Sequence, residues 1–323
     1  MKKVLVTGAA GFVGSSLVDR LLDSGTVHVV GVDSFSDYYS RAAKERNLLA
    51  ARDHANFEFI EADLAVADVA SLVDSASFVF HQAGQPGVRA SWGSDFGQYL
   101  VANIDATQRL LEAAVGSTTL ERLIYASSSS VYGAAESYPT SETVLPQPRS
   151  PYGVTKLAAE HLCGLYAHGH GVPTVSLRYF TVFGPRQRPD MAFRRFCEAV
   201  VAGSRIDIYG DGTQVRDFTY VDDVVEANVL CAEGEVDLRP GSVFNVAGGG
   251  QTTIREVLRV LAELAGKDLD VSFSETVVGD VLRTAGDGSR FTLATGWLPK
   301  VGLVEGLERE LEWVADVARP AGG

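Results

Sequence analysis

The sequence predicts an α/β protein, with a doubly wound parallel sheet followed by a smaller, mixed α/β domain. Three observations predict this fold class. Through the first 180 residues, apolar runs of strand length alternate with longer stretches in helical spacing. These runs are nearly continuously apolar, as in parallel strands that helices cover on both faces. After Gly184 the rhythm changes, and a chain of 323 residues that is 46% hydrophobic is long enough to form a second core.

The predicted elements follow in chain order. Strands are expected at Val4–Thr7, Val27–Val32, Phe57–Glu61, Phe78–His81, Leu123–Ala126 and Val175–Tyr179. The helical spacing of apolar residues predicts helices at Phe12–Leu22, Gly97–Ala114 and Pro151–Ala167, and further helices from about Ala192 and Val221. We therefore expect a first domain over residues 1–180, to which the segment at about 215–246 returns, and a second domain over residues 181–323.

Composition argues against several classes of protein. The net charge of -13 is unlike that of a nucleic-acid-binding protein, which needs a basic face. No apolar stretch approaches the length of a membrane span, and the run before Gly8 is too short for a secretion signal. The three cysteines, Cys163, Cys197 and Cys231, are an odd count and lie far apart, which is typical of buried thiols in a reducing compartment. We therefore expect a cytoplasmic protein without a structural metal.

The segment TGAAGFVG at residues 7–14 follows the first strand and opens the first helix, where a dinucleotide-binding turn is expected. Glycines allow the tight turn and the close approach of a pyrophosphate, and the helix N-terminus offers free N–H groups. Asp33 ends the second strand about 20 residues on, where an acid binds the adenosine ribose diol and favours NAD over NADP. The alternative is a plain tight turn followed by a loop aspartate. The residues predicted to hold the cofactor here are Gly8, Gly11, Phe12, Val13, Gly14 and Asp33.

Two residues after the third strand, Asp63 and Leu64, are placed to flank the adenine. Asp63 also suits a helix N-cap or a turn, and the two interpretations do not exclude each other.

A catalytic pair is expected where a helix begins after the serine run Ser127–Ser130. Tyr152 and Lys156 are four residues apart, so both side chains lie on one helical face. A tyrosine with a pKa of about 10 is a poor base at neutral pH, but a nearby lysine and the positive nicotinamide would stabilise its phenolate. The serine hydroxyls are expected to face the same crevice. The alternative is a surface Tyr and Lys beside a polar turn.

These motifs together resemble the extended short-chain dehydrogenase/reductase family of nucleotide-sugar epimerases, dehydratases and decarboxylases, whose fold is Rossmann-type. The resemblance covers essentially the whole chain. It rests on TGAAGFVG, VDSF, YASSSSVYG, YGVTK, RYFTVFGPRQRPDM, YGDGTQVRDFTYVDDV and GDVLRT, in that order.

The resemblance implies roles for individual residues. Tyr152 would take the proton of the sugar O4, Lys156 would tune it and hold the nicotinamide ribose, and Ser128 would be the helper hydroxyl. Ser129 and Ser130 would line the sugar, and Tyr179 would contact the cofactor. Hydride would pass from C4 to NAD and return to the other face of a 4-keto sugar.

Departures from the family's patterns narrow the reaction. Dehydratases carry an Asp-Glu pair at the positions of Ser129 and Ser130, and decarboxylases carry a Glu at Ser130. The chain lacks both sets of groups, which leaves epimerisation at C4.

The sugar is indicated by residues 85–89 (QPGVR) and by Thr181, which resemble UDP-glucuronate 4-epimerases. A threonine hydroxyl leaves room for a C6 carboxylate and can donate to it, and Arg89 is a further candidate ligand. An epimerase must restrain this carboxylate, since the 4-keto sugar is a β-keto acid that can lose CO₂. Thr181 could instead be a packed strand residue, and Arg89 could form a loop salt bridge.

At the nucleotide end, the resemblance assigns the diphosphate to Arg216 and Arg283, with Arg188 as a weaker candidate, and the nucleobase to the loop at Tyr209. UDP follows from the resemblance alone. Open alternatives are a UDP-glucose or UDP-N-acetylhexosamine 4-epimerase, a UDP-glucuronate decarboxylase, and a non-catalytic NAD-binding regulator. A homodimer is expected through the helices near 97–114 and 151–167, with no nucleic acid or membrane partner.

Overall fold

The computed structural model describes residues 1–232, 238–275 and 281–319. The strands are β1 (Lys2–Thr7), β2 (Val27–Asp33), β3 (Phe57–Glu61), β4 (Ala76–His81), β5 (Arg122–Ser128), β6 (Thr174–Tyr179), β7 (Thr181–Phe183), β8 (Ile206–Tyr209), β9 (Val215–Tyr220), β10 (Ser242–Val246), β11 (Gln251–Thr253) and β12 (Val271–Ser274). The helices are α1 (Phe12–Asp23), α2 (Arg41–Asn47), α3 (Leu49–Arg52), α4 (Val69–Val73), α5 (Phe96–Tyr99), α6 (Ala106–Ala114), α7 (Pro151–His170), α8 (Ala192–Ala202), α9 (Val221–Ala232), α10 (Ile254–Ala265), α11 (Ser289–Thr295) and α12 (Leu303–Ala318).

A parallel sheet of seven strands forms the centre, in the order β10-β6-β5-β4-β1-β2-β3. The predicted fold class is confirmed, and all six strands predicted from apolar runs belong to this sheet. The strand order reverses at β1, which lies between β2 and β4. Ligands of such sheets bind beyond the carboxyl ends of the strands, in the crevice at this reversal.

Helices cover both faces of the sheet. On one face α1 packs against α9, and their buried Leu17 and Val224 belong to the larger core. On the other face α6 packs against α4 and α7, and Leu110 and Ala159 belong to a second core. The three cysteines are free and buried, as expected from their spacing. No helix in the described part of the chain is both long and apolar enough to cross a bilayer.

The helix predicted at Gly97–Ala114 is present, but it is not α-helical throughout. It consists of α5, a π-helical stretch at Leu100–Asp105 and α6. The stretch contains the buried Asn103, whose side chain accepts from Gln85 N at 2.6 Å and donates to Gln85 O at 3.1 Å. Wide helical turns often occur at functional sites. Through Asn103, this one is hydrogen-bonded to the loop that follows β4.

The remainder of the chain forms smaller layers beside the central sheet. One sheet has the order β11-β9-β7, and a second pairs β12 with β8. Helices α8, α10 and α12 pack together around them. The chain also returns to the central sheet, because β10 pairs in parallel with β6.

Candidate active site

A cleft lies over the carboxyl ends of β1, β2, β4, β5 and β6, beside the start of α7. Every residue predicted to hold the cofactor lines it. These residues are Gly8, Gly11, Phe12, Val13, Gly14, Asp33, Asp63, Leu64, Tyr152, Lys156 and Tyr179. The topology therefore brings together side chains from segments far apart in the sequence.

The glycine turn after β1 leaves no space for side chains. Gly8 has a φ of +69°, and a Cβ there would lie 2.7 Å from Ala83 N. A Cβ on Gly14 would lie 2.0 Å from the Gly8 carbonyl oxygen, so α1 packs directly on the turn. Among the described residues no side chain caps α1. Its first N–H groups are therefore available to an anion, and the turn fits a pyrophosphate.

The Asp33 carboxylate is fixed at the end of β2. It accepts hydrogen bonds from Ala10 N at 3.1 Å and from Phe35 N at 2.8 Å. Burial raises the pKa of Asp33, while the nearby Lys44 and the two backbone N–H groups lower it. Lys44 is itself buried and donates to the Ser36 carbonyl oxygen at 2.7 Å. A fixed acid beside the glycine turn fits the adenosine ribose of a dinucleotide.

Tyr152 and Lys156 lie in the first turns of α7, which begins at Pro151 with the Ser150 hydroxyl accepting from Gly153 N at 3.1 Å. The buried Lys156 ammonium donates to the Ala126 carbonyl oxygen at 2.7 Å, and burial lowers the pKa of Lys156 to about 8. Burial raises the pKa of the Tyr152 phenol, and a hydrogen bond with Ser128 and the charge of Arg188 oppose this rise. Ser128 and Arg188 therefore favour the phenolate, and the sequence had not indicated this role for Arg188.

The serine run does not face the cleft as a unit. The Ser127 hydroxyl donates to the buried Glu160 carboxylate at 2.6 Å, and Glu160 is also paired with Arg178. Ser127 lines the cleft, but its hydroxyl is turned to Glu160, so the expectation that all four hydroxyls face the crevice is wrong for this hydroxyl. Ser128 ends β5 and accepts from Ser130 N at 3.1 Å, and a 3-10 turn at Ser129–Val131 follows. Ser128, Ser129 and Ser130 are half-buried.

Arg188 lines the same cleft as Tyr152 and forms a two-bond ion pair with Asp190, at 3.0 and 3.1 Å. Because its charge acts on the Tyr152 phenol, Arg188 lies at the reacting end of the cleft. Thr181 is half-buried at the start of β7, opposite Phe218 of β9.

The other predicted substrate residues form two groups. The Arg89 guanidinium lies over the Tyr209 ring, 4.4 Å from its centroid, so the 85–89 loop meets the predicted nucleobase loop. Arg283 donates to Gln251 Oε1 at 2.6 Å, and its backbone bridges to Val215, which precedes Arg216 in β9. Gly279 and Asp280 of the GDVLRT motif lie outside the described residues.

Comparison with known proteins agrees with this geometry. The model of the NAD dependent epimerase/dehydratase family matches residues 4–247. The chain belongs to this family. A crystal structure of UDP-glucuronic acid 4-epimerase from Bacillus cereus, in complex with UDP-glucuronic acid and NAD, is similar to the chain with a TM-score of 0.94. It is 42% identical, and the likeness covers 98% of this chain and 99% of that one.

Two curated relatives extend the comparison. YtcB of Bacillus subtilis, named as an uncharacterized UDP-glucose epimerase, is 39% identical over 98% of each chain. The UDP-glucuronate 4-epimerase of Thermodesulfobacterium geofontis is 35% identical, over 96% of this chain and 95% of the relative. The predicted resemblance is confirmed, and so is NAD as the cofactor of this epimerase/dehydratase-family enzyme.

The sequence analysis missed several residues of this family member's cleft. Gln82 lines the cleft and accepts a hydrogen bond from the Tyr179 hydroxyl at 3.2 Å, and this hydroxyl also lies 2.9 Å from the Asn228 Oδ1 atom. Tyr38 and Lys44 line the cleft from the segment after β2. None of these follows a recognisable spacing, since tertiary contacts bring them in. Asn103 holds the backbone of Gln85, which lines the cleft, and the sequence does carry a signal for it, because it is a polar residue at a buried position of an amphipathic helix.

Proposed function

We propose that the protein interconverts UDP-glucuronate and UDP-galacturonate by NAD-dependent epimerisation at C4. One observation carries this proposal. Tyr152 and Arg188 line the cleft, the Tyr152 phenol is hydrogen-bonded to Ser128, and Ser128 leads into a turn in which Ser129 and Ser130 occupy the positions of the family's other acids and bases. Proton removal at O4 is therefore supported, and groups for elimination at C5 and C6 are lacking at Ser129 and Ser130. The Bacillus cereus and Thermodesulfobacterium geofontis relatives, both named for this reaction, support the same substrate.

When held by the glycine turn and Asp33, NAD would supply the acceptor and donor of the hydride at the sugar C4. Tyr152 takes the O4 proton as the C4–H bond breaks, and gives it back when hydride reaches the opposite face of the 4-keto sugar. Ser128 shares a hydrogen bond with the phenol and holds it near O4. The phenolate also needs the positive nicotinamide nearby, because burial alone raises the pKa of Tyr152. Lys156, held by the Ala126 carbonyl, would reach the nicotinamide ribose.

The cofactor-binding roles follow the positions in the cleft. Gly8, Gly11 and Gly14, with the N–H groups of Phe12 and Val13, would hold the pyrophosphate, and Asp33 the adenosine ribose. Leu64 is buried and would pack on the adenine, while Asp63 also fixes its own turn by accepting from Ala65 N at 2.9 Å. The Tyr179 hydroxyl is hydrogen-bonded to Gln82 and Asn228, so the Tyr179 ring would pack against the cofactor.

Substrate binding is assigned in two parts. At the sugar, the hydroxyls of Ser129, Ser130 and Thr181 would hold the C6 carboxylate. Arg188, which the sequence indicated for the diphosphate, would help them, because its charge acts at the Tyr152 phenol. Charge-assisted hydrogen bonds of this kind are stronger than neutral ones. They would keep the carboxylate ionised and turned away from the geometry in which a β-keto acid loses CO₂. At the nucleotide, the proposed ligands are Tyr209, Arg216 and Arg283. Arg89 joins them, rather than the carboxylate ligands among which the sequence placed it, because its guanidinium lies over the Tyr209 ring.

The domain division is proposed as residues 1–180 with 215–246 for the dinucleotide, and the rest of 181–323 for the nucleotide sugar. Parallel pairing of β10 with β6 and packing of α9 on α1 support the returning segment.

A homodimer is proposed through the helices at 97–114 and 151–167, because large apolar side chains on them are exposed. They are Leu100, Val101, Val154 and Leu165. Three free, buried cysteines support a cytoplasmic location.

Incubation with UDP-glucuronate, followed by NMR of the products, tests the proposal. UDP-galacturonate should accumulate without added NAD beyond that which the protein carries. Equal or faster turnover of UDP-glucose would favour the second candidate, a UDP-glucose 4-epimerase, which the name of YtcB supports. A UDP-pentose as the main product would assign the protein to the decarboxylases. Binding of NAD with no turnover of any nucleotide sugar would favour a regulator.

A further inference from the structure

Asp190 connects two segments that line the cleft. Its carboxylate accepts from Arg188 Nε at 3.0 Å and from Arg188 Nη2 at 3.1 Å. Tyr38, from the segment after β2, donates its hydroxyl to Asp190 Oδ2 at 3.2 Å. The Arg188 guanidinium also lies 6.0 Å from the centroid of the Tyr38 ring. The cofactor-side segment and the loop after β7 therefore meet at one carboxylate.

This pairing fixes the orientation of the guanidinium. A guanidinium carries five N–H donors in a rigid plane. Asp190 takes the edge formed by Nε and one N–H of Nη2, which leaves three N–H groups on the other edge. Arg188 lines the cleft together with Tyr152, and its charge lowers the pKa of the Tyr152 phenol. The second edge is therefore available to the reacting end of the cleft.

The hydroxyl of Tyr38 is closely confined. A Cβ on Gly87 would lie only 2.4 Å from it, and Gly87 has a φ of +103° that side chains rarely adopt. The 85–89 loop thus passes directly against the Tyr38 hydroxyl and keeps it at Asp190. Gly87 itself is held by Tyr99, whose hydroxyl donates to the Gly87 carbonyl oxygen at 2.9 Å.

We propose that Asp190 is a positioning residue, which holds one edge of Arg188 so that the other edge meets the anionic sugar, and that Tyr38 in turn holds Asp190. The inference rests on the proposed function, since it assumes a sugar that carries a negative charge. A guanidinium fixed before the sugar binds loses less conformational freedom when it does bind. The opposing possibility is that Asp190 only neutralises the charge of Arg188.

Three variants separate these possibilities. Asp190→Ala removes the holder and its charge, and Asp190→Asn removes the charge but keeps one oxygen acceptor. Tyr38→Phe keeps the ion pair and removes the hydroxyl that holds it. The matched control is Asp270→Ala, which deletes the partner of Arg205 at a surface ion pair of 3.2 Å, away from the cleft.

Binding to the NAD-loaded protein is measured first, by calorimetry. In Asp190→Ala the affinity for UDP-glucuronate should fall about tenfold, as expected for one lost charge-assisted contact, while the affinity for UDP stays unchanged. Tyr38→Phe should show a smaller loss of the same kind, and Asp270→Ala none. Equal losses for UDP and UDP-glucuronate would overturn the inference, because they would indicate general damage to the cleft.

The pH profile of kcat/KM provides the second measurement. Its acid limb reports Tyr152, which faces Arg188, Ser128, Tyr99 and Tyr125 and precedes Lys156 by one helical turn. If Asp190 positions Arg188, Asp190→Ala releases the guanidinium, the phenolate loses its support and the limb moves to higher pH. Asp190→Asn should leave the limb unchanged or move it to lower pH. A shift to lower pH in Asp190→Ala would overturn the inference, since Arg188 would then have stayed in place.

Failure of the inference differs from failure of the proposed function. A wild-type protein that binds UDP-glucuronate without epimerising it would overturn the function, and the binding comparison would still decide the role of Asp190. An epimerase whose Asp190 variants match Asp270→Ala in both measurements would retain the function and lose the inference.

Discussion

The Glu310 carboxylate of α12 accepts a hydrogen bond from the Gly184 N–H at 2.9 Å. Gly184 directly follows β7, whose first residue is Thr181, so the last described helix holds the strand end that leads into the Arg188 loop. Glu310 is fully buried, and burial raises the pKa of its carboxyl to about 8, although the Gly184 N–H and Arg194 lower it. Near neutral pH the Glu310 carboxyl is therefore mostly protonated, and ionising it lowers the stability of the folded state.

Glu310→Gln should flatten the pH dependence of stability between about 4.5 and 8. The folded pKa lies above the unfolded value of 4.5, so the folded state binds more protons in this window and the wild type loses stability as pH rises. The loss amounts to about 4 kcal/mol if the whole shift is realised. Denaturant unfolding of the NAD-saturated protein at several pH values measures it. The exposed Glu308→Gln should keep the wild-type slope, and an unchanged slope in Glu310→Gln would contradict the expected shift.

NAD should co-purify with the protein, and Asp33 should determine its retention. Asp33→Asn removes the negative charge that repels a 2′-phosphate. It also replaces one of the two oxygens that accept hydrogen bonds from the Ala10 and Phe35 N–H groups. We expect NAD affinity to fall by about 1.5–3 kcal/mol, the usual range for hydrogen bonds to a charged group, with a relative gain for NADP. Denaturation and assay of the released nucleotide provide the measurement. Asp37→Asn, in the same segment but outside the cleft, should retain NAD, and NADP bound to the wild type would refute the assignment.

Tyr152→Phe should abolish most turnover while substrate binding persists, because it removes a single oxygen from the half-buried residue that is proposed as the base. Loss of a general acid–base group costs about 10²–10⁴-fold in rate. Initial rates with UDP-glucuronate, together with UDP affinity, provide the test. The control is Tyr166→Phe, on the same helix. The Tyr166 hydroxyl bonds to Gln108 and Glu112 away from the cleft, so this variant should turn over substrate at nearly the wild-type rate. A Tyr152→Phe rate within a few-fold of wild type would mean that another group is the base.

The parts of the fold that sequence analysis predicted correctly are those with local signals. The apolar runs identify β1 to β6, and the glycine turn requires Gly8 and Gly14 because backbone atoms occupy the space of their side chains. The helix predicted at Gly97–Ala114 is present, but the sequence did not indicate that its middle is π-helical, because the Asn103 side chain there bonds to Gln85, 18 positions away.

Side-chain direction was less predictable than position. Ser127 and Ser128 are neighbours at a strand end, yet one binds Glu160 and the other belongs to the Tyr152 site. Alternation along a strand allows this outcome, but which serine points to the core depends on where α7 packs. The hydrogen bond between Tyr38 and Asp190 could not be predicted from sequence spacing, because the two residues are 152 positions apart.

The Thr181 hydroxyl, at the start of β7, is proposed to restrain the sugar carboxylate. At the 4-keto stage the sugar is a β-keto acid, and loss of CO₂ needs the C5–C6 bond perpendicular to the carbonyl plane. Thr181→Val keeps the β-branched shape opposite Phe218 and removes only the hydroxyl. It should weaken UDP-glucuronate binding by about 1.5–3 kcal/mol and release a UDP-pentose by-product that the wild type makes little of.

Thr181→Ser is the matched control, because it keeps the hydroxyl and removes the methyl group. If the hydroxyl restrains the carboxylate, the serine variant should retain epimerisation without the by-product, and the valine variant should leak CO₂. If Thr181 matters only as a packed strand residue, the order reverses, because serine leaves space beside Phe218 and valine fills it. NMR of the product mixture distinguishes the two orders, and equal by-product in both variants would remove Thr181 from the carboxylate site.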